Sequence, residues 1–160
     1  MKFVHLIEIN AADNPLIAPL TRAQVWRGLV MRAERPTLFV LALDACEITG
    51  RSENGLSRTL QFGKLIIHDE VHFVPQQHVQ YHVPQQNDIP ASDLTMTIEE
   101  PVAGALFVRF EYDDHQAASD DAEAEFYNNF RRDAYKESDI DTIRKIRELA
   151  MEGQLDAPLQ

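Results

Sequence analysis

The amino-acid sequence predicts an α+β fold: one strand and two short helices, then six strands in a meander, then one long C-terminal helix. Three observations carry this. From Asp44 onward about seventy residues alternate apolar and polar side chains between short turn signals, the period-two pattern of strands in an antiparallel sheet. From Ser119 to Gly153 the apolar residues recur at three- and four-residue spacing, as an amphipathic helix requires. Between the first strand and the meander, Thr21 and Gln24 make a capping box that opens a shorter helix.

Lys2 to Asn10 reads as the first strand, with Phe3, His5, Ile7 and Ile9 on one face and Val4, Leu6 and Glu8 on the other. Both faces are largely apolar, which predicts a strand away from an exposed edge. Asp13-Asn14-Pro15 breaks it. The capping box starts a helix over Arg22 to Ala33, with Leu20 and Val25 as its hydrophobic staple and Val25, Trp26, Leu29, Val30 and Ala33 as its buried side. Pro36 ends that helix and starts a single turn through Phe39. Strands follow at Cys46 to Arg51 and Leu56 to Phe62, joined by Glu53-Asn54-Gly55, then at Leu65 to Val74, Val79 to Val83, Leu94 to Glu99 and Leu106 to Tyr112.

The long helix has Ser119 as its N-cap, acids in its first turns, and Gly153 just past its end. Phe126, Tyr127, Phe130 and Ala134 form a stripe expected to face the core. Ile140, Ile143, Ile146 and Ala150 fall roughly 150° from that stripe on a straight helix, so one surface cannot bury both sets. Either the helix kinks or restarts near Lys136 to Asp139 with Ser138 as an internal cap, or its second half packs on a different partner. The kink is favoured because it needs no second protein.

The 160 residues carry 15 Lys and Arg against 26 Asp and Glu, a formal net charge of −11. Length alone predicts one domain spanning residues 1–160. The acidic balance argues against nucleic acid or an anionic membrane as the main partner, since both call for a basic patch. Cys46 is the sole cysteine, compatible with a reducing compartment, and the short polar N-terminus points to a cytoplasmic protein.

Several segments together resemble the AtaL-like family. They are Leu20-Thr21-Arg22, Trp26-Arg27-Gly28-Leu29, Arg58-x-Leu60-x-Phe62-Gly63, Leu94 through Pro101, Leu106 through Phe110, and Phe126-Tyr127-x-x-Phe130 through Lys136. That family lies within the START-like (SRPBCC) superfamily of helix-grip folds, which includes birch-pollen-type allergens and polyketide aromatases and cyclases. The resemblance covers nearly the whole chain. It implies a seven-stranded antiparallel sheet wrapped around the C-terminal helix with a hydrophobic cavity between them, and it does not fix an activity.

Candidate pocket residues follow from polar groups on faces that otherwise read as interior. His5 sits among Phe3, Ile7 and Ile9; Arg58 among Leu56, Leu60 and Phe62; Asp69 among Leu65, Ile67, Val71 and Phe73. Arg58 and Asp69 pair within the cavity, or a ligand carboxylate or phenolate meets Arg58. The more ordinary reading is that a β-bulge turns Asp69 outward and Arg58 snorkels to the rim. Trp26, Tyr81, Tyr112, Phe126 and Phe130 could stack on a planar ligand, although aromatic side chains so placed are more often simply core. His68, His72, His78 and His82 share the outer sheet face, with His82 opposite Glu70, and read as a solvated face in preference to a zinc site.

No nucleophile elbow, phosphate-cradling loop or catalytic signature is present, and no cofactor is implied. The leading expectation is a protein that binds an apolar, aromatic or polyketide-like small molecule. A cyclase or aromatase acting through polar cavity residues is the second reading, and a protein-interaction module using Ile140, Ile143 and Ile146 is the third. Homo-oligomerisation is left open.

Overall fold

The computed structural model describes every residue of the chain except Ala12, Ser119, Leu159 and Gln160. Seven strands, β1 (Lys2–Glu8), β2 (Ala45–Ser52), β3 (Gly55–Phe62), β4 (Leu65–Val74), β5 (His78–Val83), β6 (Ser92–Val102) and β7 (Ala105–Asp113), form one antiparallel sheet in the order β1-β7-β6-β5-β4-β3-β2. Helix α1 (Arg22–Glu34), a single 3-10 turn (Pro36–Leu38) and helix α2 (Ala122–Met151) complete the chain. The expected α+β class, element order and long C-terminal helix are all present.

Local chemistry accounts for the joints. Thr21 accepts from the Gln24 N–H while the Gln24 side chain accepts from the Thr21 N–H, so the capping box is closed in both directions. The β2–β3 hairpin turns over Glu53-Asn54, because Gly55 already pairs with Ser52. Gly55 instead permits a close approach by β4, since a Cβ there would lie 2.8 Å from the Val71 carbonyl oxygen. Gly28 does the same between the helices, where a Cβ would come within 2.7 Å of the Ile146 side chain. Gly153, at φ +75°, ends α2.

One sheet face packs against both helices. Val71, Val79, Met96, Ile98, Leu106, Val108 and Phe110 meet Val25, Leu29 and Met31 of α1 and Ile143, Ile146 and Leu149 of α2 in a single core cluster. The exposed alternation of β1 corrects one expectation. This strand pairs only with β7 and is an edge, with Val4 and Leu6 on its solvent side despite being apolar. A few exposed apolar side chains are ordinary on a protein surface, so an apolar outer face did not imply a second neighbouring strand.

Helix α2 requires a larger correction. It runs unbroken from Ala122 to Met151, and one inward stripe at three- and four-residue spacing, Tyr135, Asp139, Thr142, Ile143, Ile146 and Leu149, passes straight through the segment where a kink was expected. Its C-terminal half sets the phase by packing on α1. Carried back along a straight helix, that phase turns Phe126, Tyr127 and Phe130 to solvent, at 77%, 62% and 67% exposure. The aromatic stripe therefore does not face the core. Ile143 and Ile146 are buried, leaving Ile140 as the exposed isoleucine of the set, so the interaction surface they were expected to form is absent. The N-cap is Asp121, whose side chain accepts from the Glu123 N–H; Ser119, expected in that role, lies outside the described residues.

Candidate functional site

Between the inner sheet face, the 3-10 turn and α2 lies a cavity of about 320 Å³. Its apolar wall comes from Val40, Leu43, Leu60, Phe62, Val83 and Leu94, and its polar wall includes Arg32, Arg58, Tyr81, Tyr112, Arg131 and Tyr135. A volume of this size suits a small organic molecule. A depression of about 510 Å³ on the outer face is lined mainly by polar side chains and turn backbone, including Arg51, Ser57, Glu70 and His72, and lacks that apolar wall.

Strand register builds the first polar group. Arg58 and Asp69 are direct partners across β3 and β4, and no bulge interrupts that pairing. Arg58 donates from Nε to Asp69 Oδ1 at 2.9 Å and from Nη2 to Oδ2 at 2.6 Å, while Nη1 donates to the Ala33 carbonyl at 2.8 Å. Each residue is 4% exposed, so neither the outward turn of Asp69 nor the snorkelling of Arg58 occurs. Burial opposes the guanidinium charge, and the bonds to Asp69 overcome it, leaving the Arg58 pKa above its ordinary value.

The second group centres on an acid that the sequence reading did not single out. Asp139, on the inward stripe of α2, is 1% exposed and accepts from the Tyr112 hydroxyl on one oxygen, while His5 Nδ1 lies 3.1 Å from the other. Burial pushes the Asp139 carboxyl up, and the bonds from Tyr112 and His5 pull the other way without cancelling it. Burial first, then the Asp139 charge, also raises the Tyr112 phenol and holds it protonated through neutral pH. Tyr112 stacks on Tyr135 with centroids 4.0 Å apart and planes at 8°.

A third group closes one end. Arg131 donates to Asp114 at 2.8 Å and to the Tyr135 hydroxyl at 3.1 Å, and the Met1 ammonium also reaches Asp114. Burial alone would raise the Asp114 pKa, but these bonds and the Gln116 N–H hold it down at about 2. Nearby on the outer face, Asp93 lies 2.6 Å from His82 Nδ1 and 2.5 Å from His115 Nε2. Among the described residues no cluster of three or more His, Cys, Asp or Glu is arranged to hold a metal ion.

Of the residues singled out from sequence, Arg58, Tyr81 and Tyr112 line the cavity. Asp69 stands behind Arg58, and His5 reaches Asp139 from the β1 edge. Trp26 packs edge-on against Phe73 beside the core. Phe126 and Phe130 belong to the solvent face of α2 and not to the pocket, for the reason of helical phase given above. Arg32, Asp139 and Tyr135 were missed. The signal for Asp139 was its place three and four residues from Thr142, Ile143 and Tyr135, which only the correct helix phase reveals.

A seven-stranded antiparallel sheet with two helices on one face, the long C-terminal one beside a cavity, defines a START-like helix-grip protein. The chain belongs to the AtaL family, described as "Acetylaranotin biosynthesis cluster protein L", which it matches over residues 7–153. No curated protein matches the sequence. Solved structures show the same fold at low identity. The Zhui aromatase/cyclase from Streptomyces sp. R1128 superposes with a TM-score of 0.61 at 12% identity, covering 94% of this chain and 93% of that one. A START superfamily protein from Mycobacterium smegmatis gives 0.58 at 9%, covering 94% and 97%. The di-domain aromatase/cyclase StfQ from the steffimycin biosynthetic pathway gives 0.65 at 10%, covering 94% of this chain and 51% of StfQ. Among the described residues, no helix is long and apolar enough to cross a membrane.

Proposed function

We propose that this protein binds an apolar, aromatic or polyketide-like small molecule in the cavity between the sheet and α2. The observation that carries the reading is the cavity itself: apolar side chains from β3, β5 and β6 on one side and hydroxyl, guanidinium and carboxylate groups on the other. Apolar walls supply affinity and sparse polar groups supply orientation, the usual division of labour in a small-molecule site. Two of the structural relatives reported above are aromatase/cyclases, which supports an aromatic ligand.

Native mass spectrometry of the purified protein, followed by denaturation and identification of any released compound, tests this directly. A stoichiometric aromatic or acyl compound supports the reading. A protein that is empty and also fails to bind apolar fluorescent probes overturns it.

The His5–Asp139–Tyr112 group favours a second reading, a cyclase- or aromatase-like enzyme. A buried carboxylate held between a histidine and a phenol that lines the cavity is suited to moving protons at a bound carbonyl compound. Asp139→Asn then abolishes turnover of the identified ligand while retaining its affinity; unchanged turnover removes this reading.

A further inference from the structure

Three arginines border the cavity, and two of them are held by acids. Arg58 directs three nitrogens to Asp69 and the Ala33 carbonyl, and Arg131 binds Asp114 and Tyr135. Arg32 is different. It donates only through Nε, to Thr142 Oγ1 at 3.2 Å, and among the described residues its two terminal nitrogens have no hydrogen-bond partner and no ion-pair partner. These nitrogens are not closed off, whereas the hydroxyl of Tyr81 is fully buried and also without a partner. The Arg32 Cζ lies 5.1 Å from the centre of the Tyr81 ring, and both side chains line the cavity.

The acids around this point have other hydrogen-bond partners, and Arg32 acts on Asp139 through its charge alone. Asp139 accepts from His5 and Tyr112, Asp114 from Arg131 and the N-terminal ammonium, and Asp93 from His82 and His115. A guanidinium with open donors over the ring of a tyrosine whose buried hydroxyl has no partner is a pair of oxygen-binding groups lacking an oxygen.

We propose that Arg32 and Tyr81 anchor the ligand of this cavity by an acceptor oxygen, so that the ligand class is a flat apolar compound bearing a carbonyl, phenolate or carboxylate. This rests on the cavity reading above and narrows it. It also moves the anchor away from Arg58, the residue for which sequence alone suggested a ligand carboxylate or phenolate, because all three of its nitrogens are turned to Asp69 and the Ala33 carbonyl. Binding draws the Tyr81 hydroxyl and the Arg32 terminal nitrogens onto one oxygen or onto the two oxygens of a carboxylate, while the ring lies against Leu60, Phe62 and Leu94.

Three compounds sharing one ring system test the assignment by calorimetry: 2-naphthoate, 2-acetylnaphthalene and 2-ethylnaphthalene. The first two are expected to bind about tenfold or more tightly than the third, the difference that one charge-assisted hydrogen bond supplies. In Arg32→Met and in Tyr81→Phe this preference collapses, so that the three compounds bind within about twofold of one another, and circular dichroism reports the same fold. Arg32→Lys retains the preference for naphthoate in part, which separates lost charge from lost folding. Equal binding of all three compounds overturns the anchor and leaves the cavity reading standing. A preference that survives Arg32→Met also overturns it. Failure of all three to bind overturns the cavity reading and the anchor with it.

Discussion

Arg58 and Asp69 face each other across adjacent strands and close a two-point ion pair inside the protein, with Nη2 to Oδ2 at 2.6 Å. Taking both charges out of water is costly, and their geometry offsets that cost only while both remain. Asp69→Ala should therefore destabilise the protein by roughly 3–5 kcal/mol, whereas the double change Arg58→Met with Asp69→Leu should recover most of the loss. Urea denaturation of the three variants measures this. A double variant as unstable as the single one would show that the pair is needed for more than mutual neutralisation.

Gly28 sits where α1 and α2 touch. Alanine there gains about 1 kcal/mol of helix propensity, but its methyl meets Ile146 at 2.7 Å and forces the helices apart or the isoleucine off its rotamer. Gly28→Ala is expected to lower stability by a net ~1–2 kcal/mol, as overpacking typically does. A raised melting temperature would mean that the contact relaxes freely.

The phase of α2 predicts opposite outcomes for two of its large residues. Phe126→Ser should change stability by no more than about 0.5 kcal/mol, because the ring is already in water. Ile146→Ala should cost about 2–4 kcal/mol, because its side chain is fully buried against α1 and the sheet. Equal losses in thermal denaturation would place the aromatic residues in the core after all.

Asp139 makes stability depend on pH. Its folded pKa is raised above the unfolded value of about 3.9, so the folded state favours the protonated acid. The stability this contributes is complete below about pH 4 and is lost as pH rises from there through the folded pKa. Asp139→Asn removes the dependence, so its stability relative to wild type should improve as pH rises from about 4. Denaturation midpoints across that range test the sign; a difference that falls with pH would contradict it.

Much of the fold was readable because strands advertise themselves locally. The favoured reading turned Asp69 outward and Arg58 to the rim, yet the alternation of Leu56, Arg58 and Leu60 and of Ile67, Asp69 and Val71 did mark these strands and their inner faces. The capping box at Thr21 did the same for α1. What escaped was phase. Phe126, Tyr127 and Phe130 make a convincing stripe by spacing, but spacing does not say which stripe meets the sheet when a second, weaker one contains Asp139 and Thr142. Packing of Ile143 and Ile146 decides it from a distance of several turns. Arg32 was passed over for a related reason: a charged residue on a surface helix reads as solvated until a neighbouring cavity is known.

Loop-closure costs follow from the strand order. From β2 through β7 each strand pairs with its neighbour in sequence, so each pairing closes a short loop and the six can zip together from any hairpin outward. β1 alone must find a partner from the far end of the chain, the last strand before α2. It joins Phe3 to Tyr112 and, through His5, meets Asp139 on α2, so the buried acid takes one of its two side-chain partners from the first strand of the chain. The β1–β7 pairing closes the longest loop in the sheet and carries its largest loop-closure cost, and the polar group beside the cavity is complete only with that strand in place.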